Sequence, residues 1–104
     1  MITPWQHPDG YSGMHLYVIK LEMEEIRKTQ QEVFRATLVR GIGINLHYIP
    51  VYLQPYYERM GFQGGYCPVA EDYYRTAMSI PLFPALSERQ QDQIVETLSD
   101  VLRN

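Results

Sequence analysis

The chain has 104 residues, a length that suits one globular domain. Of these residues, 45% are hydrophobic and 20% are charged, a composition that excludes a disordered segment. Its net charge of −3 argues against a general nucleic-acid-binding protein. One cysteine, no recognisable secretory signal and no long apolar run predict a cytoplasmic protein that does not bind a membrane.

The first part of the chain predicts a loop, a strand and a helix. Residues 1–13 contain two prolines, two glycines and a Pro-Asp-Gly turn signal, which predict a loop or linker. Residues 14–21 are rich in large apolar side chains and predict a strand. Thr29 and Glu32 form a capping-box pattern, and Gly41 suits a left-handed helix end, so a helix is predicted over about 29–40.

The second part of the chain predicts two more strands and three more helices. Pro81 places the last strand at a sheet edge or ends it there. Ser87 and Gln90 form a second capping box before an amphipathic C-terminal helix. The other predicted elements are strands 44–49 and 77–82 and helices 53–60 and 68–76. The order predicts an α+β fold, in which residues 1–104 form one domain with a small, mostly antiparallel sheet of about three strands packed with helices.

Tyrosines are concentrated in one part of the chain, because seven of the nine lie between residues 48 and 74. A tyrosine ring has an apolar body and a hydrogen-bonding tip. Such a cluster is typical of a protein interface or of a site for a polar ligand such as a sugar. The alternative is that these rings pack the rim of a small core.

Three polar residues of this region are candidate ligand contacts. His47 lies near the end of a predicted strand, where it suits either a ligand contact with acid–base chemistry near neutral pH or a satisfied buried histidine. Tyr52 and Gln54 follow a proline in a predicted extended loop. Their hydroxyl and amide suit a polar ligand, and the alternative is loop packing.

The lysines and some acidic residues are predicted to have structural roles. Lys20 and Lys28, the only lysines, lie among acidic residues at the ends of elements, which predicts solvated ammonium groups rather than catalytic amines. Glu71 and Asp72 suit the solvated first turn of a helix. The spacing of histidines and the cysteine matches no zinc motif.

Four separated segments strongly resemble sugar aminotransferases of the DegT/DnrJ/StrS type, over nearly the whole chain. The nearest likeness is to enzymes that aminate a UDP-linked 4-keto-6-deoxy sugar in pseudaminic acid or spore-coat polysaccharide synthesis. The segments are His-Leu-Tyr-Val-Ile at 15–19, Gly-Ile-Gly at 41–43 with Leu-His-Tyr-Ile-Pro-Val at 46–51, Leu-Gln-Pro-Tyr-Tyr at 53–57, and Ala-Glu at 70–71 with Ser-Ile-Pro-Leu-Phe-Pro at 79–84.

The resemblance implies that the chain is the C-terminal small domain of a fold-type I aminotransferase, with Met1 an added start. In such enzymes a large N-terminal domain carries pyridoxal 5′-phosphate and its lysine. The longer protein is then expected to be a homodimer that transfers an amino group from glutamate to the sugar nucleotide. The 104-residue fragment alone is expected to bind no cofactor and to be inactive.

The resemblance also implies that His47, Tyr48, Tyr52 and Gln54 face the sugar-nucleotide substrate. Many relatives have a histidine where this chain has Tyr52, so an ionisable imidazole is replaced by a hydrogen-bonding ring. Residues 56–73 are expected to form a flap or an interface. The alternative function is a free-standing α+β module that binds a metabolite or a protein partner through the tyrosine-rich rim.

Overall fold

The structure, a computed structural model, describes residues 1–103 and confirms the α+β fold. Its elements are β1 (Tyr17–Lys20), α1 (Gln30–Val39), β2 (Asn45–Leu46), a 3₁₀ turn (Val51–Leu53), α2 (Pro55–Glu58), α3 (Pro68–Thr76), β3 (Ala77–Ile80) and α4 (Glu88–Arg103). The helix predicted over 68–76 has the predicted bounds, and the others differ by a few residues at their ends.

The three strands form an antiparallel sheet in the order β1-β3-β2. β3 is therefore the central strand, and it ends at Ile80, directly before Pro81. Proline has no amide hydrogen for the ladder, so of the two alternatives predicted for this strand, ending at the proline is confirmed. Ile2 also forms an antiparallel bridge with Lys20 at the outer side of β1, so the predicted N-terminal loop touches the sheet.

The strands and the short helix before residue 60 are shorter than predicted. β1 begins only at Tyr17, and Met14 has a φ of 54°, which is incompatible with a strand at that position. β2 pairs with β3 at only two positions. The longer strand was expected from apolar alternation, which indicates which side chains are buried but not how far the hydrogen-bonded ladder extends. α2 begins at Pro55, because the residue before a proline is held extended, as Gln54 is with a ψ of 147°.

Both predicted capping boxes are present. The Glu32 amide donates to the Thr29 hydroxyl over 3.2 Å, and the Thr29 amide donates to the Glu32 carboxylate over 2.7 Å. This second bond lowers the pKa of Glu32. Ser87 and Gln90 make the reciprocal pair at α4, and Gly41 has the left-handed φ of 84° expected after α1.

The hydrophobic core lies where β1 and β3 meet α1 and α4. Its buried side chains are Ile19, Leu21, Val33, Ile42, Ile44, Met78, Ile94, Leu98 and Val101. The tyrosine-rich segment from residue 48 to residue 67 lies outside this cluster and contributes none of these buried side chains. The core therefore provides a scaffold to which the candidate site is attached.

Candidate functional site

The four predicted substrate-side residues follow β2 directly and extend through the 3₁₀ turn. Tyr48 is 72% exposed, and Gln54 is exposed at the end of the turn. Tyr52 was predicted in an extended loop, but it lies within the 3₁₀ turn, and its side chain is half-buried. The segment therefore presents two exposed polar side chains and one that is held against the protein.

His47 is buried and has a partner on the central strand. Its Nε2 lies 2.7 Å from the Ser79 hydroxyl, and both residues are at most 5% exposed. Asn45 pairs with Ser79 in the sheet, and His47 is two residues further along, so it lies on the same face. The His47 ring also contacts the Tyr48 ring edge-on, at 4.5 Å between centroids. Ser79 fixes the orientation of the histidine, and the sequence offered no signal for this contact.

The Tyr52 hydroxyl is tied to α3 and to the loop before it. It lies 2.6 Å from Glu71 Oε2 and 3.1 Å from the Cys67 carbonyl oxygen, and it accepts from the Cys67 amide over 3.1 Å. A hydroxyl has one proton to donate. The Glu71 carboxylate is closer than the Cys67 carbonyl oxygen and is the stronger acceptor of the two. The proton is therefore directed at Glu71.

The prediction of a solvated first helical turn is wrong for Glu71. Its carboxylate also accepts the Gly65 amide, with a distance of 2.8 Å to Oε2. The neighbouring Asp72 is different, because it is exposed and accepts from Arg75 over 2.7 Å, which lowers the pKa of Asp72. Because Glu71 and Tyr52 are 19 residues apart, local sequence patterns contain no sign of their contact.

Five aromatic rings form a continuous series of edge-on contacts, here called the aromatic ladder. Neighbouring ring centroids are 5.1 to 6.2 Å apart. The ladder runs in the order Tyr52, Tyr66, Phe62, Tyr57 and Tyr56. Phe62 and Tyr66 also line a hollow of about 430 Å³ formed by residues 60–64 and 66. The ladder thus joins the predicted substrate segment to a surface concavity.

The pKa of Tyr52 is raised above the usual 10.0, chiefly by partial burial and also by its hydrogen bond to the Glu71 carboxylate. The folded chain therefore holds this proton more tightly than the unfolded chain. The resulting stabilisation is complete below about pH 10 and is lost as the pH rises through the folded-state pKa. Carbon-13-labelled tyrosine NMR, with Tyr52→Phe to assign the signal, should show this shift, and Glu71→Gln should reduce it. A Tyr52 signal that titrates at or below the usual value would contradict the geometry.

Neither lysine of this chain suits covalent attachment of pyridoxal 5′-phosphate. Lys20 Nζ lies 3.7 Å from an Asp72 carboxylate oxygen, and Lys28 Nζ donates to the Val101 carbonyl oxygen over 2.8 Å. An amine that attacks the cofactor needs a free nitrogen lone pair, whereas both nitrogens here contact oxygen atoms of the protein. The prediction of a solvated ammonium group is wrong for Lys28, because it caps the C-terminal end of α4. The residues present do not fit the cofactor's attachment site.

Across residues 1–103 no three histidine, cysteine, aspartate or glutamate side chains are grouped so that they could hold a metal ion. In the same part of the chain no helix has both the length and the apolar character needed to cross a membrane.

The chain is similar to known proteins in both sequence and fold. Residues 1–99 match the DegT/DnrJ/EryC1/StrS aminotransferase family, and the chain belongs to that family. A similar solved structure, the putative sugar aminotransferase Spr1654 from Streptococcus pneumoniae, is of its PLP form, with a TM-score of 0.74 and 28% identity over 86% of this chain and 22% of Spr1654. The resemblance inferred from the sequence motifs is confirmed.

Three known proteins illustrate the similarity. The spore coat polysaccharide biosynthesis protein SpsC of Bacillus subtilis is 33% identical over 105 residues, which cover 99% of this chain and 27% of SpsC. The structure of DesV from S. venezuelae matches with a TM-score of 0.82 and 27% identity, over 99% of this chain and 26% of DesV. Helicobacter pylori PseC, an aminotransferase involved in pseudoaminic acid biosynthesis, shares the fold, with a TM-score of 0.77 and 22% identity over 86% of this chain and 24% of PseC.

The chain spans about a quarter of the length of the curated relatives that it matches. The similarity therefore concerns one part of those proteins. The predicted small-domain fold is consistent with this share, since the structural neighbours are also matched over about a quarter of their length.

Proposed function

We propose that this chain is the C-terminal small domain of a longer, cytoplasmic, pyridoxal-phosphate-dependent transaminase. The longer enzyme transfers an amino group from glutamate to a UDP-linked 4-keto-6-deoxy sugar for surface polysaccharide or glycan synthesis. The observation that carries the proposal is that residues 1–99 match an aminotransferase family while the chain equals 27% of SpsC. SpsC acts in spore coat polysaccharide biosynthesis, which supports a sugar substrate.

The proposal assigns the cofactor and its lysine to a large N-terminal domain. The environments of Lys20 and Lys28 support this division, because one is held by a carboxylate and the other by a backbone carbonyl. The large domain and a second copy of the enzyme are the proposed partners.

Within this division of labour, the small domain binds and orients the sugar nucleotide. Tyr48 and Gln54 offer an exposed hydroxyl and an exposed amide, which suit sugar hydroxyls and a nucleotide. His47 positions Tyr48, since the His47 ring contacts the Tyr48 ring and the Nε2 atom of His47 is hydrogen-bonded to Ser79. Tyr52 completes the substrate-side set at the first ring of the aromatic ladder.

The test of the proposal is the genomic sequence immediately upstream of the codon for Met1. We expect an open reading frame in the same phase that encodes a large α/β domain with a lysine for the cofactor. An in-frame stop codon directly before Met1 would refute the proposal. That result would favour the free-standing binding module instead, with the exposed tyrosines as its binding surface.

A further inference from the structure

Glu71 is the point at which three separate segments meet. It belongs to α3, it accepts the hydroxyl proton of Tyr52 from the 3₁₀ turn, and it accepts the amide of Gly65 from the loop before α3. Gly65 has a left-handed φ of 88°, which a glycine adopts without strain. One carboxylate thus links the 3₁₀ turn before α2 and the loop after α2, which carries Phe62 and Tyr66, to α3.

The Tyr52 hydroxyl is already engaged in hydrogen bonds within the protein. Its proton is directed at Glu71 over 2.6 Å, and it accepts the Cys67 amide over 3.1 Å. A hydroxyl that already donates once and accepts once is close to satisfied. Tyr52 therefore has its ring, rather than its hydroxyl, to offer to a ligand, and this ring is in contact with Tyr66.

We infer that Glu71 is a positioning residue, which holds the Tyr52 hydroxyl and the Gly65 amide so that the aromatic ladder stands in one arrangement beside the substrate segment. Ionised carboxylates make stronger hydrogen bonds than neutral groups, so loss of this carboxylate releases the loop from α3. The inference rests on the proposed function for the identity of the ligand. The positioning itself is a property of this chain.

The positioning role is tested by amide hydrogen exchange of the chain. In Glu71→Ala the Gly65 and Cys67 amides should both exchange roughly fivefold to tenfold faster. Gly65 loses its acceptor, and the Tyr52 hydroxyl, which accepts the Cys67 amide, is no longer held by a carboxylate. Tyr52→Phe should accelerate Cys67 and leave Gly65 nearly unchanged, and Glu71→Gln should restore part of the protection through its remaining oxygen. Asp72→Ala is the matched control, since it removes the neighbouring carboxylate, which forms ion pairs with Arg75 and Lys20 instead of holding the loop.

The Leu98 amide lies in the core, so its exchange rate reports global stability and not release of the loop. It should be the same in Glu71→Ala and Asp72→Ala. If Gly65 and Cys67 exchange no faster in Glu71→Ala than in Asp72→Ala, the inference is overturned.

The functional consequence is measured on the enzyme encoded by the whole reading frame. Glu71→Ala should raise the KM for the keto-sugar nucleotide about fivefold to tenfold with little change in kcat, and Asp72→Ala should not. An unchanged KM in Glu71→Ala, in an active enzyme, overturns the inference and leaves the proposed function intact. If the unmodified enzyme aminates no keto sugar, the proposed function fails, and the exchange rates still decide whether Glu71 holds the loop.

Discussion

Replacing Leu98 with alanine should lower the free energy of unfolding by about 2–5 kcal/mol. Leu98 is 1% exposed and lies at the centre of the core on α4, between Ile94 and Val101. A domain of this length has a total stability of about 5–15 kcal/mol, so the variant loses a large share of it. Urea unfolding followed by circular dichroism measures the change.

Val95→Ala is the matched control, because Val95 lies on the same helix and is 54% exposed. It should cost less than about 1 kcal/mol, since little apolar surface is lost from the interior. If Leu98→Ala is no more destabilising than Val95→Ala, α4 does not pack into the core through Ile94, Leu98 and Val101.

The 104-residue chain alone should not catalyse amino transfer at any concentration of pyridoxal 5′-phosphate. Neither of its lysines is placed as a free amine, because Lys20 faces Asp72 and Lys28 donates to the Val101 carbonyl oxygen. Chromatography of a reaction with glutamate and a UDP-linked 4-keto-6-deoxy sugar should show no amino sugar above a control without protein. The enzyme from the whole reading frame, assayed in parallel, should form it.

Amino transfer by the short chain would contradict the division between a small domain and a cofactor-bearing large domain. In that event Lys20→Ala and Lys28→Ala would identify the amine responsible.

The features that the sequence predicts well are those fixed by neighbouring residues. The capping boxes at Thr29 and Ser87 depend on side chains three positions apart, and both are present in the structure. The start of α3 at Pro68 is local in the same way. Such contacts leave a readable pattern, because the partners lie within one helical turn.

The features that the sequence does not predict depend on contacts between distant segments. β3 is central because β1 and β2 both pair with it, which the composition of β3 does not reveal. Ser79 holds His47 from 32 residues away, and Glu71 holds Tyr52 from 19 residues away. Glu71 was predicted as a solvated helix-start residue because its position in α3 favours a carboxylate whether or not it has a partner.

The location of the lysine that binds the cofactor is the measurement that bears most directly on the proposed function. The protein from the whole reading frame is loaded with pyridoxal 5′-phosphate, reduced with borohydride, digested and mapped by mass spectrometry. The pyridoxyl group should be found on a lysine encoded upstream of this chain, and Lys20 and Lys28 should be unmodified. A stoichiometric pyridoxyl group on Lys20 or Lys28 would show that this domain carries the cofactor itself.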